Sequence, residues 1–288
     1  MLSTTIDWLN LTFLDYYDEN GELSNGARDF ILRYASAGTV VPSPAHNGYT
    51  AATTDENGVS VNWNDDRPEM GHHAILSGSA LRHLVERCGV SPAAILESAV
   101  KSSGRIARLD IAIDLVGGQE DIREIYKILQ TTGNRGTAVT WREISQNDGG
   151  YTLYVGARTS EKYIRIYDKA KEQGIPDLLW SRFEIETKGK VARACAVSLT
   201  RGDNWSGVFY TIARQMLRPQ NSLAYEQFFS KDVVPIGLPK IERKSDRERW
   251  IEEQVISAVA KHYIDNPQSE AVQRLRQTLD LIERQKLL

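Results

Sequence analysis

The first hundred residues contain no lysine. They carry five arginines against thirteen Asp and Glu, a net charge of −8, so the remainder must hold +5 to reach the whole-chain value of −3. That balance excludes a uniformly basic nucleic-acid coat but leaves room for a locally basic surface. Cysteine is scarce: Cys88 and Cys195 lie far apart, with no C-x-x-C or zinc spacing, which predicts reduced thiols in a cytoplasmic protein. There is no 18-residue apolar run, so no membrane span is expected. The opening "MLSTTIDWLNLTF" lacks a basic n-region and holds Asp7, so it is not expected to act as a signal peptide. G-x-x-x-x-G-K-[ST], G-x-G-x-x-G and G-x-S-x-G are all missing, which removes the P-loop, dinucleotide and nucleophile-elbow chemistries. His72 and His73 are adjacent and would face opposite sides of a strand, so they do not form a chelating pair.

What is present is an alternation of strands and helices. "TIDWLNLTF" (5–13), "HHAILSG", "RIARLDIAIDL" (105–115), "AVTWREIS", "YTLYVGA", "KYIRIYDK" and "LWSRFEIETK" read as strands. "GYTAATT" and "VSVNWN" flank "DENG", a hairpin signal. Helices are expected over 26–36, "SALRHLVERC", "SPAAILESAVKS" with Ser91 as N-cap and Pro92 first, 119–130, "GKVARACAVSL" and 207–217. After Pro-punctuated residues 218–244, "SDRE" (245–248) has the capping-box spacing and opens a helix with Ile251, Val255, Ala258 and Val259 on one face; a last helix follows. Strand, helix, strands and helix occur twice. This predicts an α+β fold of two mainly antiparallel sheets flanked by helices, pseudo-duplicated, with C-terminal helices. The expected divisions are 1–103, a catalytic half over 104–217, and 218–288.

Four clusters carry chemistry. On a strand, residues two apart share a face. In "RLDIAID", Asp110, Ala112 and Asp114 therefore point one way, and two carboxylates over a small alanine leave room for Mg²⁺ or Mn²⁺; the other reading is an exposed acidic face. In "SRFEIE", Arg182, Glu184 and Glu186 share a face. Glu184 would join the same metal site if the two strands are neighbours, or Arg182 would form a cross-strand salt bridge with Asp110 or Asp114. In "KYIRIYDK", Tyr163, Arg165, Tyr167 and Lys169 align. The two phenols are about 13 Å apart at roughly 3.3 Å per residue, so both cannot serve one phosphate, and residue physics leaves the choice open. In "YVGARTS", Gly156 permits close backbone approach, and Arg158 and Ser160 lie at a strand end where a phosphate can be held.

Taken together, "TIDWLNLTF", "RLDIAIDL", "YTLYVGARTSEKYIRIYDKAKEQG" and "SRFEIETK" resemble the replication initiation factor family, the Rep_trans type of rolling-circle initiator, over roughly residues 5–200. That family includes plasmid and filamentous phage initiators and related relaxases. The resemblance implies a fold distantly like the HUH endonucleases, without the His-hydrophobic-His motif, which is also missing here. It implies a metal-dependent enzyme that nicks and rejoins DNA through a tyrosine. The family's Tyr-acidic-Lys step falls on Tyr167, its Arg-x-Asp strand on Arg108, Asp110 and Asp114, and its Arg-x-Glu strand on Arg182 and Glu184. Related initiators often place a tyrosine just before Glu-Gln, where this chain has Lys171. The expectation is that Tyr167 attacks a phosphodiester of single-stranded or extruded origin DNA. Arg165 and Lys169 would assist, and Asp110, Asp114 and Glu184 would hold Mg²⁺ or Mn²⁺. Arg158, Ser160, Tyr163 and Arg182 would contact DNA. The 3′-OH would prime a host polymerase while a host helicase unwinds; a homodimer is one expected state. The alternatives are a non-catalytic origin-binding protein, a relaxase for conjugative transfer, a water-using nuclease and a single-strand RNA binder.

Overall fold

The computed structural model describes residues 2–14, 16–17, 23–24, 30, 41–101, 104–117, 122–145, 147, 150–175, 177–229, 234, 236–240 and 255–286. The helix expected over 26–36, apart from Phe30, and the capping box at 245–248 lie outside these residues. The chain forms two units, Met1–Ile241 and Glu242–Leu288.

In chain order the first unit contains β1 (Leu2–Phe13), β2 (Tyr16–Tyr17), β3 (Leu23–Ser24), β4 (Val41–Pro42), β5 (Ala51–Thr54), β6 (Val59–Trp63), β7 (His72–Leu76), α1 (Gly78–Glu86) and α2 (Pro92–Lys101). It continues with β8 (Arg105–Val116), α3 (Arg123–Thr132), β9 (Trp141–Ser145), β10 (Tyr151–Val155), β11 (Lys162–Asp168), the single turn α4 (Lys169–Glu172), β12 (Trp180–Lys188), α5 (Gly189–Thr200), α6 (Trp205–Met216) and α7 (Leu223–Gln227). Ser91 caps α2 as expected, its Oγ accepting the Ala94 N–H at 3.2 Å. The "DENG" turn joins β5 to β6: Asp55 Oδ1 accepts the N–H groups of Asn57 and Val59, and Gly58 adopts φ +88°.

The two expected sheets prove to be one. Ten antiparallel strands run in the order β4-β5-β6-β7-β1-β8-β12-β11-β10-β9. The reason is at the seam. β1 and β8 are both twelve residues long, and they pair from Leu2↔Leu115 to Thr12↔Arg105. Left as separate edges, they would expose long rows of unpaired N–H and C=O groups. Outward from the seam each half repeats one order, β1-β7-β6-β5-β4 and β8-β12-β11-β10-β9, so the duplication is visible in the topology. The line expected at 103/104 thus falls inside one sheet.

Period-two alternation gives the C-terminal half of this sheet one apolar face. Leu109, Ile111 and Ile113 of β8, Ile164 and Ile166 of β11, and Phe183 and Ile185 of β12 are almost fully buried. They belong to the core formed with Ala192, Cys195 and Leu199 of α5 and with Val208, Phe209 and Ile212 of α6. The Phe183 ring meets Phe209 edge-on at 5.2 Å and Phe228 at 5.5 Å. Each such side chain contributes about 1.5–3 kcal/mol of burial. The packing of Phe228 and Phe229 onto Phe183 keeps residues beyond 217 in the first unit.

The second unit contains α8 (Ser257–Asp265) and α9 (Glu270–Lys286). Ala258, Val259, Val272 and Leu275 line the groove between them.

Candidate active site on the polar sheet face

The face of β8, β12 and β11 opposite this core carries a grid of polar side chains. Asp114 stands opposite Arg182, which stands opposite Tyr167. Ala112, Glu184 and Arg165 form the next row, and Asp110, Glu186 and Tyr163 the third. The "SRFEIE" and "RLDIAID" strands are therefore neighbours, and Glu184 lies across from Ala112, between the two aspartates.

Ion pairs tie the grid together. Arg108 donates to Asp110 through Nε (2.8 Å) and Nη2 (2.5 Å), and its Nη2 lies 2.9 Å from Glu186 Oε2. Arg165 Nη2 pairs with Glu184 and reaches Asp110 Oδ2 at 3.5 Å. Arg182 grips Asp114 with Nε (2.7 Å) and Nη2 (2.8 Å), while its Nη1 donates to Asp7 Oδ1 at 2.5 Å. Trp180 Nε1 also donates to Asp114 Oδ1, at 2.7 Å. Lys188 Nζ lies 2.7 Å from Glu186 Oε1. Tyr167 donates its hydroxyl to Glu184 Oε2 at 3.4 Å. Asp110 is 0 % exposed, Glu184 1 % and Arg182 3 %. Charges so deep persist only when paired and hydrogen-bonded.

Five carboxylates (Asp7, Asp110, Asp114, Glu184, Glu186) meet four cations (Arg108, Arg165, Arg182, Lys188). The surplus falls on the most buried acid. Burial drives the Asp110 carboxyl up to about 7 against the pull of Arg108, with Glu184 and Glu186 adding to the rise. Burial also raises Glu184, opposed by Arg165. The Tyr167 phenol is pushed far above its ordinary value, first by burial and then by the Glu184 charge, with Arg182 pulling the other way. Burial works against the Arg165 charge, but Glu184 and Asp110 outweigh it and hold the guanidinium protonated.

Register brings the three expected metal ligands together, yet their oxygens are engaged by arginines. Arg165 sits between Asp110 and Glu184, and Arg182 and Trp180 hold Asp114. Among the described residues no group of three or more His, Cys, Asp or Glu is arranged to hold a metal ion. As placed, this donor set does not fit a divalent cation.

Other expected residues fall differently. Arg182 was expected on DNA; its Nε and both terminal nitrogens are committed to Asp114 and Asp7, and it is buried. Tyr163 was expected either to pack or to stack on a base; it packs, 3 % exposed and against Tyr154 with ring centroids 5.8 Å apart. Lys169 is buried, pairs with Glu172, and holds its Nζ 5.7 Å from the Tyr167 ring centroid. Arg158 and Ser160 are exposed in the turn before β11. From Lys162 to Tyr167 is about 16 Å of strand, so this turn flanks the phenol's site instead of joining it. Asp7, Trp180 and Arg108 are members that the strand patterns did not single out as catalytic. Asp7 had a readable signal: core residues Ile6 and Leu9 are three apart, where strict alternation demands two.

The corresponding strands of the other half differ at these positions. In corresponding strands Thr12 faces His73, which faces Asn62. Thr12 Oγ1 lies 3.0 Å from His73 Nδ1, and burial lowers the His73 pKa, keeping the ring neutral. Apart from Asp7, the ion-paired residues of the grid lie on β8, β11 and β12 of the C-terminal half.

Residues 104–232 match the family model described as replication initiation factor, Rep_trans. The matched segment holds β8 to β12 and the whole grid except Asp7. The fold is similar to that of the solved rolling circle replication initiator protein from Geobacillus stearothermophilus, at 21 % identity and a TM-score of 0.67, over 83 % of this chain and 93 % of that one. No curated protein matches the chain. Rolling-circle initiators of this family are generally nicking endonucleases and generally metal-dependent. Among the described residues no helix is long and apolar enough to cross a membrane.

Proposed function

We propose that the chain is a rolling-circle replication initiator that nicks one strand of origin DNA through Tyr167. The observation that carries this reading is the Tyr167 hydroxyl aimed at the Glu184 carboxylate inside a buried ion-pair grid. A phenol raised so far above neutrality needs a proton acceptor as it attacks. Glu184, itself made more basic by burial, is the acceptor within reach. The phenolic oxygen bonds to the scissile phosphorus, the phenol proton passes to Glu184, and the bond from phosphorus to the 3′ oxygen breaks. The products are a 5′-phosphotyrosine and a 3′ oxygen that takes up a proton. The link conserves the phosphodiester, so the reverse attack rejoins the strand.

Arg165 supplies positive charge for the phosphate. It is the most exposed of the three arginines, at 28 % of its side chain, against 18 % for Arg108 and 4 % for Arg182. Its Nε has no hydrogen-bond partner. Lys169 orders the phenol ring from its edge of the site. Arg158 and Ser160, at the far end of β11, meet flanking nucleotides of single-stranded or extruded DNA. Asp110, Asp114 and Glu184 are each paired with an arginine, and as placed they do not fit Mg²⁺ or Mn²⁺. The free 3′-OH suits priming by a host polymerase, with a host helicase unwinding ahead.

A second reading, an origin-binding protein that does not cut, is favoured by the closed grid, in which every carboxylate has a cation. Incubating the protein with labelled single-stranded origin DNA, with Mn²⁺ or Mg²⁺ and with EDTA, separates them on a denaturing gel. An SDS-resistant adduct lost in Tyr167→Phe supports nicking. Binding without cleavage supports the second reading, and cleavage without an adduct points to a water-using nuclease.

A further inference from the structure

Arg182 faces Tyr167 across the β11–β12 ladder, and directly opposed side chains on one face stand about 5 Å apart at Cβ. The orientation of that guanidinium therefore shapes the phenol's surroundings. Asp114 takes the Nε and Nη2 edge from one side, on the neighbouring strand β8. A single bidentate pair still leaves the plane free to rock about the axis of the two bonds. The third nitrogen, Nη1, is held by Asp7, which comes from β1, 175 residues away in sequence.

Asp7 reaches this position because β1 is irregular there. The register with β8 shifts between Ile6 and Trp8, so Asp7 is the extra residue of a bulge. Bulges re-aim side chains and recur beside active sites. The bulge is pressed from behind by the start of α1. A Cβ on Gly78 would come within 3.1 Å of the Asp7 carbonyl oxygen and 3.2 Å of Asp7 Oδ1, so glycine at this helix start lets the carboxylate sit where it does. The N-terminal half thus contributes one acidic side chain to the site.

We propose that Asp7 is a positioning residue for the nicking reaction: with Asp114 it locks the Arg182 guanidinium in the plane that orders the Tyr167 phenol. The inference rests on the nicking reading. It also assigns a function to the joining of the two halves, since the catalytic half alone lacks the second arm of the clamp.

The test measures single-turnover adduct formation and DNA affinity separately, on the full chain, with labelled single-stranded origin DNA. In Asp7→Ala the adduct should form at least about tenfold more slowly, as for a misaligned reacting group, while Kd stays within about twofold. Asp7→Asn, whose amide oxygen still accepts from Nη1, should restore the rate to within about threefold of wild type. Gly78→Ala, whose Cβ presses Asp7 to give by a few tenths of an ångström while leaving its charge intact, should slow the adduct by less than Asp7→Ala does, and it carries the test if Asp7→Ala does not fold. An Asp7→Ala protein at wild-type rate would overturn the inference, as would an Asn variant as slow as the Ala variant, or a rate loss matched by an equal loss of affinity. If wild type forms no adduct, the nicking reading fails by itself, and the side-chain ¹⁵N–¹H signals of Arg182, assigned with Arg182→Lys, decide the clamp alone. Rigid signals in wild type that average in Asp7→Ala sustain the clamp, and identical signals end it.

Discussion

Tyr167 and Arg182 stand directly opposite each other on adjacent strands, and the guanidinium is committed to two aspartates, Asp7 and Asp114. Arg182 therefore belongs to the scaffold of the site, and the phenol's hydrogen bond goes to Glu184. That division of roles makes the candidate residues separable by experiment.

The two tyrosines of β11 should behave differently. Tyr167→Phe removes the proposed nucleophile and one long hydrogen bond, so covalent attachment should vanish while unfolding free energy changes by no more than about 1 kcal/mol. Tyr163→Phe keeps the ring packed against Tyr154 and should leave attachment within about twofold of wild type. Parallel denaturing gels and urea unfolding check both. An adduct that survives Tyr167→Phe and is lost in Tyr163→Phe would move the nucleophile.

Glu184→Gln keeps the shape of the proton acceptor and removes its basicity. Adduct formation should slow by about 10²–10⁴, the usual contribution of a positioned general base. Single-turnover kinetics at saturating DNA isolates this effect from binding. A rate unchanged from wild type would show that the phenol proton leaves by another route.

Arg165→Met leaves Asp110 and Glu184 buried without their shared cation. Removing one partner of a buried pair costs about 3–5 kcal/mol, and the thermal midpoint should fall accordingly. The vacated space between two carboxylates should then accept a divalent ion. Millimolar Mn²⁺ should raise the midpoint of Arg165→Met by more than it raises that of wild type, in differential scanning calorimetry. Equal shifts would mean that Arg165 does not occupy an ion's place.

Asp110 should give stability a pH dependence of unusual sign. Its folded-state value is raised, to about 7, above the ordinary carboxyl value, so the folded chain binds the proton more tightly than the unfolded chain. Its contribution is fully present below about pH 4 and is lost as pH rises toward 7. Asp110→Asn, which cannot ionise, should gain stability relative to wild type across that interval. Unfolding midpoints of the two proteins between pH 4 and 8 test this; a difference that is flat or runs the other way would refute the raised value.

Much of the site was legible as faces. Alternation in "RLDIAID", "KYIRIYDK" and "SRFEIE" put Asp110 with Asp114, Arg165 with Tyr167, and Arg182 with Glu184, because successive side chains of a strand point to opposite sides whatever the strand pairs with. The same local rule puts Leu109, Ile111, Phe183 and Ile185 on the opposite faces, which the structure buries in the core. Strand neighbours were not legible from any local rule. The order β8-β12-β11 decides that Arg182 meets Asp114 and that Glu184 lies between Arg165 and Ala112. The same packing decides that Tyr163 is closed off by Tyr154 and that Asp7 crosses from the other half to hold Arg182. Alternation is a property of one backbone segment and survives in the sequence. Pairing order, register and the bulge at Asp7 come from contacts between distant segments, whose burial and hydrogen bonding favour one arrangement only when the whole sheet is assembled.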